Sequence, residues 1–235
     1  MRIYLAAFCL LIFTACDQLG AVLETAGTMA TPPTEAEISK GIREALIVGA
    51  KNSIAQTSKT NGFLNNSLIK IEFPPEAKKV EETARNLGLG AQVDQFVETM
   101  NHGAEQASAK ATSIFVGAIQ QMTLQDVYDI WRGENDAATQ FLKRTTQSKL
   151  EAEFRPVINK TLDQVQLTKY WSPLADNYNK IPFVTKVNPN LDEYVLAETL
   201  DGLFLVIAQE EAKIRQDPAA RVSDILKRVF GYPQG

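Results

Sequence analysis

From Val93 to Met122 the apolar residues Val93, Phe96, Val97, Met100, Ala104, Ala107, Ala111, Ile114, Phe115, Ala118, Ile119 and Met122 recur at three- and four-residue spacing. That period is one face of a helix; a strand would need strict alternation. The stripe predicts one long helix, or two nearly collinear ones broken near Gly103 or Gly117. An amphipathic helix draws most of its stability from burying that face, so the rest of the chain must supply surfaces for it.

Those surfaces are also helical. Thr34-Glu35-Ala36-Glu37 has the form of a capping box, and Ile38, Ile42, Ala45, Leu46 and Gly49 carry the period towards Thr57. Asn61-Gly62 is a turn. Residues 67–73 form a short extended segment, with Leu68 to Phe73 alternating until Pro74-Pro75 stops them. Pro75 opens a helix that Gly88 and Gly90 close near Leu87. Thr123 to Asp126 caps a short helix closed by Gly133, and Asp136 caps another reaching about Leu162, with Pro156 kinking or dividing it. A shorter aromatic-rich helix opens at Thr168, the most apolar helix spans Leu191 to Arg215, and Asp217-Pro218 starts a last one through Phe230. The expected fold is all-α, a single domain of about seven or eight helices over residues 34–231. One extended segment makes no sheet.

The N-terminus carries a different signal. Met1-Arg2 precedes an uncharged run from Ile3 to Phe13, then Thr14-Ala15-Cys16, and the chain turns polar at Asp17. That run is shorter than the roughly 20 residues a membrane-spanning helix needs, so residues 1–15 read as a signal peptide. Phe13-Thr14-Ala15-Cys16 resembles the lipobox of bacterial lipoproteins, which implies cleavage before Cys16 and lipid attachment, palmitate included, at Cys16. Phe13 stands where Leu is usual, and Asp17 resembles a residue that retains some lipoproteins at the inner membrane. Residues 16–33 then form the lipidated cysteine and a polar tether. Cys9 leaves with the leader, so acylation of Cys16 leaves no free thiol.

Composition narrows the function. The 235-residue chain has a net charge of −4, and losing Arg2 with the leader makes the body one unit more negative. Basic residues are scattered, so nothing supplies the phosphate-neutralising surface that nucleic-acid binding requires.

Several phrases carry a family resemblance: Phe115-Val116-Gly117-Ala118-Ile119 leading to Met122-Thr123, Gly133 followed by Asp136-Ala137-Ala138-Thr139, Leu200-Asp201-Gly202-Leu203-Phe204, and Pro218-Ala219-Ala220-Arg221. With Asn101 and Glu105, the body from about residue 34 to 231 resembles domain of unknown function 4197. His102 stands where the resemblance leads one to expect Arg. Members often look like secreted proteins or lipoproteins; the resemblance implies no activity.

Three polar groups are candidates. Asn101 and Glu105, four residues apart on one helical face, could bind a cation or polarise a ligand, or could bond to each other or to a neighbouring helix end. The loop from Gly133 to Thr139 could present free amides to an anion, but Glu134 and Asp136 would repel it and Asp136 suits a cap. Asp201 shares a face with Tyr194, Glu198 and Leu205 in an apolar helix, where a buried acid needs a partner, and Arg215 and Arg221 are available. Glu210-Glu211 with Lys213 and Arg215 read as a solvated helix end. His102 is the only histidine, which leaves few routes to a triad or a zinc site. No cofactor or metal is implied.

The leading expectation is a lipoprotein of the bacterial cell envelope, periplasm-facing and held to a membrane by its N-terminal lipid. Its role would be a non-catalytic binding or interaction module for a protein partner or an apolar ligand. The alternatives are a carboxylate-dependent enzyme using Glu105, Asp136 and Asp201 in one pocket, and an apolar-ligand carrier, which needs an internal cavity of several hundred Å³.

Overall fold

The computed structural model describes residues 31–164, 171 and 175–232. The expected leader, Cys16, most of the expected tether and most of the helix expected from Thr168 lie outside them. Eight α-helices fall wholly within the described residues: α1 (Glu35–Thr57), α2 (Lys78–Asn86), α3 (Gly90–Ser108), α4 (Ala111–Gln120), α5 (Leu124–Arg132), α6 (Ala137–Leu162), α7 (Leu191–Gln216) and α8 (Asp224–Phe230). The fold is an all-α single domain.

Helix α6 packs against α3, α4, α5 and α7, and α7 packs in turn against α1 and α3, so α6 and α7 form the axis. Helix α8 lies on α1. One apolar core runs from Ile38 to Ile207, with a satellite of Ala45, Ile214 and Leu226 beneath α8. Gly41 makes the α1–α8 contact possible: a Cβ there would sit 2.6 Å from Val229 Cγ2.

Both predicted capping boxes form. Thr34 N donates to Glu37 Oε2 at 2.7 Å while Glu37 N donates to Thr34 Oγ1 at 3.2 Å, and Thr123 and Asp126 repeat the exchange at 2.9 and 3.1 Å. Gly88, at φ 81°, ends α2 in the left-handed geometry that favours glycine.

Elsewhere the structure corrects the expectations. The long stripe breaks at Ala109-Lys110, between α3 and α4, and not at a glycine. Gly103 lies within α3, facing Thr161 of α6, and Gly117 meets open space. Helix α6 runs unbroken through Pro156, its burial against α3 and α7 outweighing one lost backbone hydrogen bond. Pro218–Ala220 is only a 3₁₀ turn capped by Asp217; the last helix starts at Asp224 with Ser223 as its cap.

Residues 67–73 are not a strand. Residues 67–69 turn and no neighbouring strand exists among the described residues. The alternation is nevertheless real in burial: Ile69, Ile71 and Phe73 are core residues while Leu68 is exposed. Phe73 closes an aromatic cluster, with ring centroids 5.1 Å from Phe96 and 5.6 Å from Trp171.

Candidate functional site

The polar residues singled out by sequence fall into two knots and two separate surface positions. The first knot is on α3. Asn101 is fully buried, and its carboxamide pairs with both backbone groups of Ile71: Ile71 N donates to Oδ1 at 2.9 Å, and Nδ2 donates to Ile71 O at 2.8 Å. The side chain thus supplies the pairing that an adjacent strand would otherwise give. One turn on, Glu105 Oε1 accepts from Phe63 N at 3.1 Å and Leu64 N at 3.4 Å. Asn101 and Glu105 bond neither to each other nor to a helix end; both hold the 61–73 loop against α3. Half-buried His102 lies beside them, with Nε2 3.4 Å from Asn61 Oδ1 and 3.9 Å from Glu105 Oε2. Asn61 has φ 61°, a left-handed conformation that asparagine tolerates.

Gly202 belongs to the same packing from the other side. A Cβ on it would stand 2.8 Å from Phe63 Cε1 and 3.1 Å from Ile69 Cβ, so the loop is pressed between α3 and α7. The glycine in the most apolar helix is explained by that approach.

The second knot joins three helix ends. Glu211 of α7 is buried and accepts at Oε1 from Ala138 N (3.0 Å) and at Oε2 from Thr139 N (2.8 Å), the first free amides of α6. Arg215 Nε donates to Glu211 Oε1 at 3.0 Å, and its Nη2 donates to Ile130 O at 2.8 Å, in the last turn of α5. Arg221 donates from Nε to Ile214 O at 3.1 Å and from Nη2 to Arg215 O at 2.8 Å, closing α7. Each charge has the sign its helix end favours, an acid at an N-terminus and guanidinium groups at C-termini. Glu210 and Glu211 are not the solvated helix end that the sequence suggests; burial of α7 between α1 and α6 covers both.

Glu211 therefore takes the capping role expected of Asp136. Asp136 has φ −116° and ψ 13°, outside the extended geometry an N-cap side chain uses, and its exposed carboxylate accepts instead from Gln140 Nε2 at 3.0 Å. Asp201 is also exposed and sits 3.5 Å from Lys143 Nζ, so neither Arg215 nor Arg221 is its partner. The interior face of α7 is taken by Leu200, Gly202 and Leu203, which turns Asp201 outward. Along α7, Asp201 stands about 15 Å from Glu211 at ~1.5 Å per residue. The open groove that Asp201 lines with Lys143, Glu151 and Arg155 includes neither Glu105 nor Asp136.

On the outer face of α7, burial pushes the Tyr194 hydroxyl well up, helped by nearby Glu198. The Tyr194 hydroxyl donates to Glu72 O at 3.1 Å. Burial, then the adjacent Asp201 charge, also raises Glu198.

Most buried hydroxyls return to their own helices: Ser53, Thr57, Thr146 and Thr199 each donate to the carbonyl four residues back. Beside Glu211 and Arg215 lies an apolar cavity of about 30 Å³ between Leu46, Leu142, Ile207 and Phe230. That is room for one or two waters at most and is far below what a lipid-sized ligand fills. Among the described residues no group of three or more His, Cys, Asp or Glu is placed to hold a metal ion, and no helix is long and apolar enough to cross a membrane.

Sequence reasoning missed two further anchors. Arg43 of α1 donates to the carbonyl of Met122 at 2.6 Å and to that of Ile119, tying the end of α4 to α1. Asn179 repeats the Asn101 device on Val187, donating to its carbonyl and accepting from its amide at 2.8 Å each. Neither carries a local sequence signal, because each partner is a backbone group.

No curated protein and no solved structure matches the chain. A family model described as "protein of unknown function (DUF4197)" matches residues 32–231, nearly all of the helical body, and the chain belongs to that family.

Proposed function

We propose that this protein is an exported lipoprotein of the bacterial cell envelope, anchored through an acylated Cys16, whose helical body acts as a non-catalytic interaction module. The observation that carries this reading is the use made of the interior polar groups. Asn101, Glu105, Glu211 and Arg215 are committed to backbone groups of the loop and helix ends, which favours a surface role over chemistry in a buried pocket. The N-terminal Phe13-Thr14-Ala15-Cys16 pattern supports the anchor, and the stretch between Cys16 and Thr31 could reach about 50 Å if extended, at ~3.3–3.6 Å per residue. A body on such a tether can meet partners across the surface of its own membrane.

The test is crosslinking in living cells followed by purification of the membrane-bound chain. The reading expects one recurrent protein crosslinked to the helical body. A monomer that crosslinks to nothing, in cells where it is abundant, would contradict it.

A further inference from the structure

Residues 180–186, Lys180-Ile181-Pro182-Phe183-Val184-Thr185-Lys186, form a loop whose two ends are pinned together. Asn179 holds Val187 through two hydrogen bonds of 2.8 Å, Val187 is buried, and Trp171 Nε1 donates to Asn188 O at 3.1 Å just beyond. Beyond this clamp the loop does the opposite of what apolar residues ordinarily do. Phe183 is completely exposed and Ile181 is about half exposed, at 107% and 52%. Phe183 also has φ 65°, a left-handed backbone that disfavours any residue with a Cβ and favours glycine. A closed base, a strained aromatic at the tip and two apolar side chains in water describe a presented group, because a loop selected for folding alone would carry Gly or Asn there.

We propose that this tip inserts into the interfacial layer of an anionic lipid bilayer. The charge around it selects that occupant. The loop carries Lys180 and Lys186 and no acid, inside a chain whose net charge is −4. Lysines bracketing an aromatic tip suit a surface of anionic headgroups, each adding attraction near the membrane while the ring sits at the headgroup boundary. Two apolar side chains are too few to hold a protein at a bilayer alone, so the tip works as a second contact. It rests on the anchor proposed above and fixes which side of the tethered body faces the lipid.

The test uses the full chain, purified with whatever N-terminal modification its host adds. It is mixed with phosphatidylcholine vesicles, with or without phosphatidylglycerol, whose acyl chains are brominated to quench indole emission on contact. The indole introduced by Phe183→Trp should be quenched and blue-shifted on phosphatidylglycerol-containing vesicles, and less so when Lys180→Gln and Lys186→Gln are added. The native Trp131 and Trp171 serve as the background in the parent chain. Circular dichroism checks that each variant is folded, and Leu205→Trp, an exposed position on α7, supplies a control indole that should stay unquenched. No quenching at position 183 on a membrane-bound, folded chain would overturn the proposal and leave the anchor intact. Absence of acylation by mass spectrometry would instead remove the anchor, while quenching on added vesicles would still support the tip. If Phe183→Ser abolished a protein crosslink and position 183 remained unquenched, the tip would be a protein contact and the proposal would fail.

Discussion

Glu211 caps a helix other than its own: its Oε2 accepts hydrogen bonds from both the amide and the hydroxyl of Thr139, at 2.8 Å each, across a sequence separation of 72 residues. The same carboxylate holds Arg215, whose other reach is to the end of α5. One buried acid therefore links the start of α6, the body of α7 and the close of α5.

Glu211→Ala removes the cap and strands Arg215 in the interior. Breaking a buried pair from one side costs about 3–5 kcal/mol. Urea unfolding should show a loss of that order, and Glu211→Ala with Arg215→Met should recover part of it. An exposed pair would lose less than about 1 kcal/mol.

Asn101→Ala leaves the buried amide and carbonyl of Ile71 without partners, at about 1–3 kcal/mol for each unsatisfied group. Hydrogen exchange at the Ile71 amide should accelerate more than exchange in α1. Unchanged protection there would mean that the loop is held at Ile71 without Asn101.

Gly202→Ala drives a methyl group into Phe63 and Ile69. Overpacking of this kind costs about 1–3 kcal/mol. Thermal unfolding should register the loss, and Phe63→Leu in the same chain should relieve some of it.

The sequence made the local part of this architecture visible. Thr34 with Glu37 and Thr123 with Asp126 could be paired on paper because a capping box acts over three residues. The alternation of Ile69, Ile71 and Phe73 correctly separated inside from outside, but period alone does not say what the backbone pairs with. Here the partner is one side chain, Asn101, thirty residues on. Glu211 and Asp201 depart from the sequence expectation in opposite directions for one reason. Which face of α7 is buried depends on how α1 and α6 embrace it, and both flanks of that helix carry apolar residues. Of the candidate residues, Arg221 does reach the Arg215 carbonyl and Asn101 and Glu105 hold one loop, while Asp136 and Asp201 stand apart.

The start of α5 has a pH signature. The Thr123 hydroxyl, then the Thr123 amide, hold the Asp126 carboxyl below the usual aspartate range. Because the folded value is the lower one, this contribution is complete above the unfolded value of about 3.9 and is lost as pH falls through the folded value. Carboxyl-carbon NMR titration should show Asp126 titrating low, and Thr123→Ala should return it upward while costing about 1 kcal/mol of stability.

Phe183→Gly should raise stability by about 1–2 kcal/mol by relieving the left-handed backbone. A gain in thermal midpoint would show that the aromatic tip is kept at the expense of the fold.

The account as a whole turns on where the mature chain begins. Intact-mass spectrometry of the protein extracted from membranes of its native host measures this directly. The account predicts a polypeptide starting at Cys16 and heavier by its acyl groups. A chain recovered from the cytoplasm without acylation, still beginning at Met1, would contradict it.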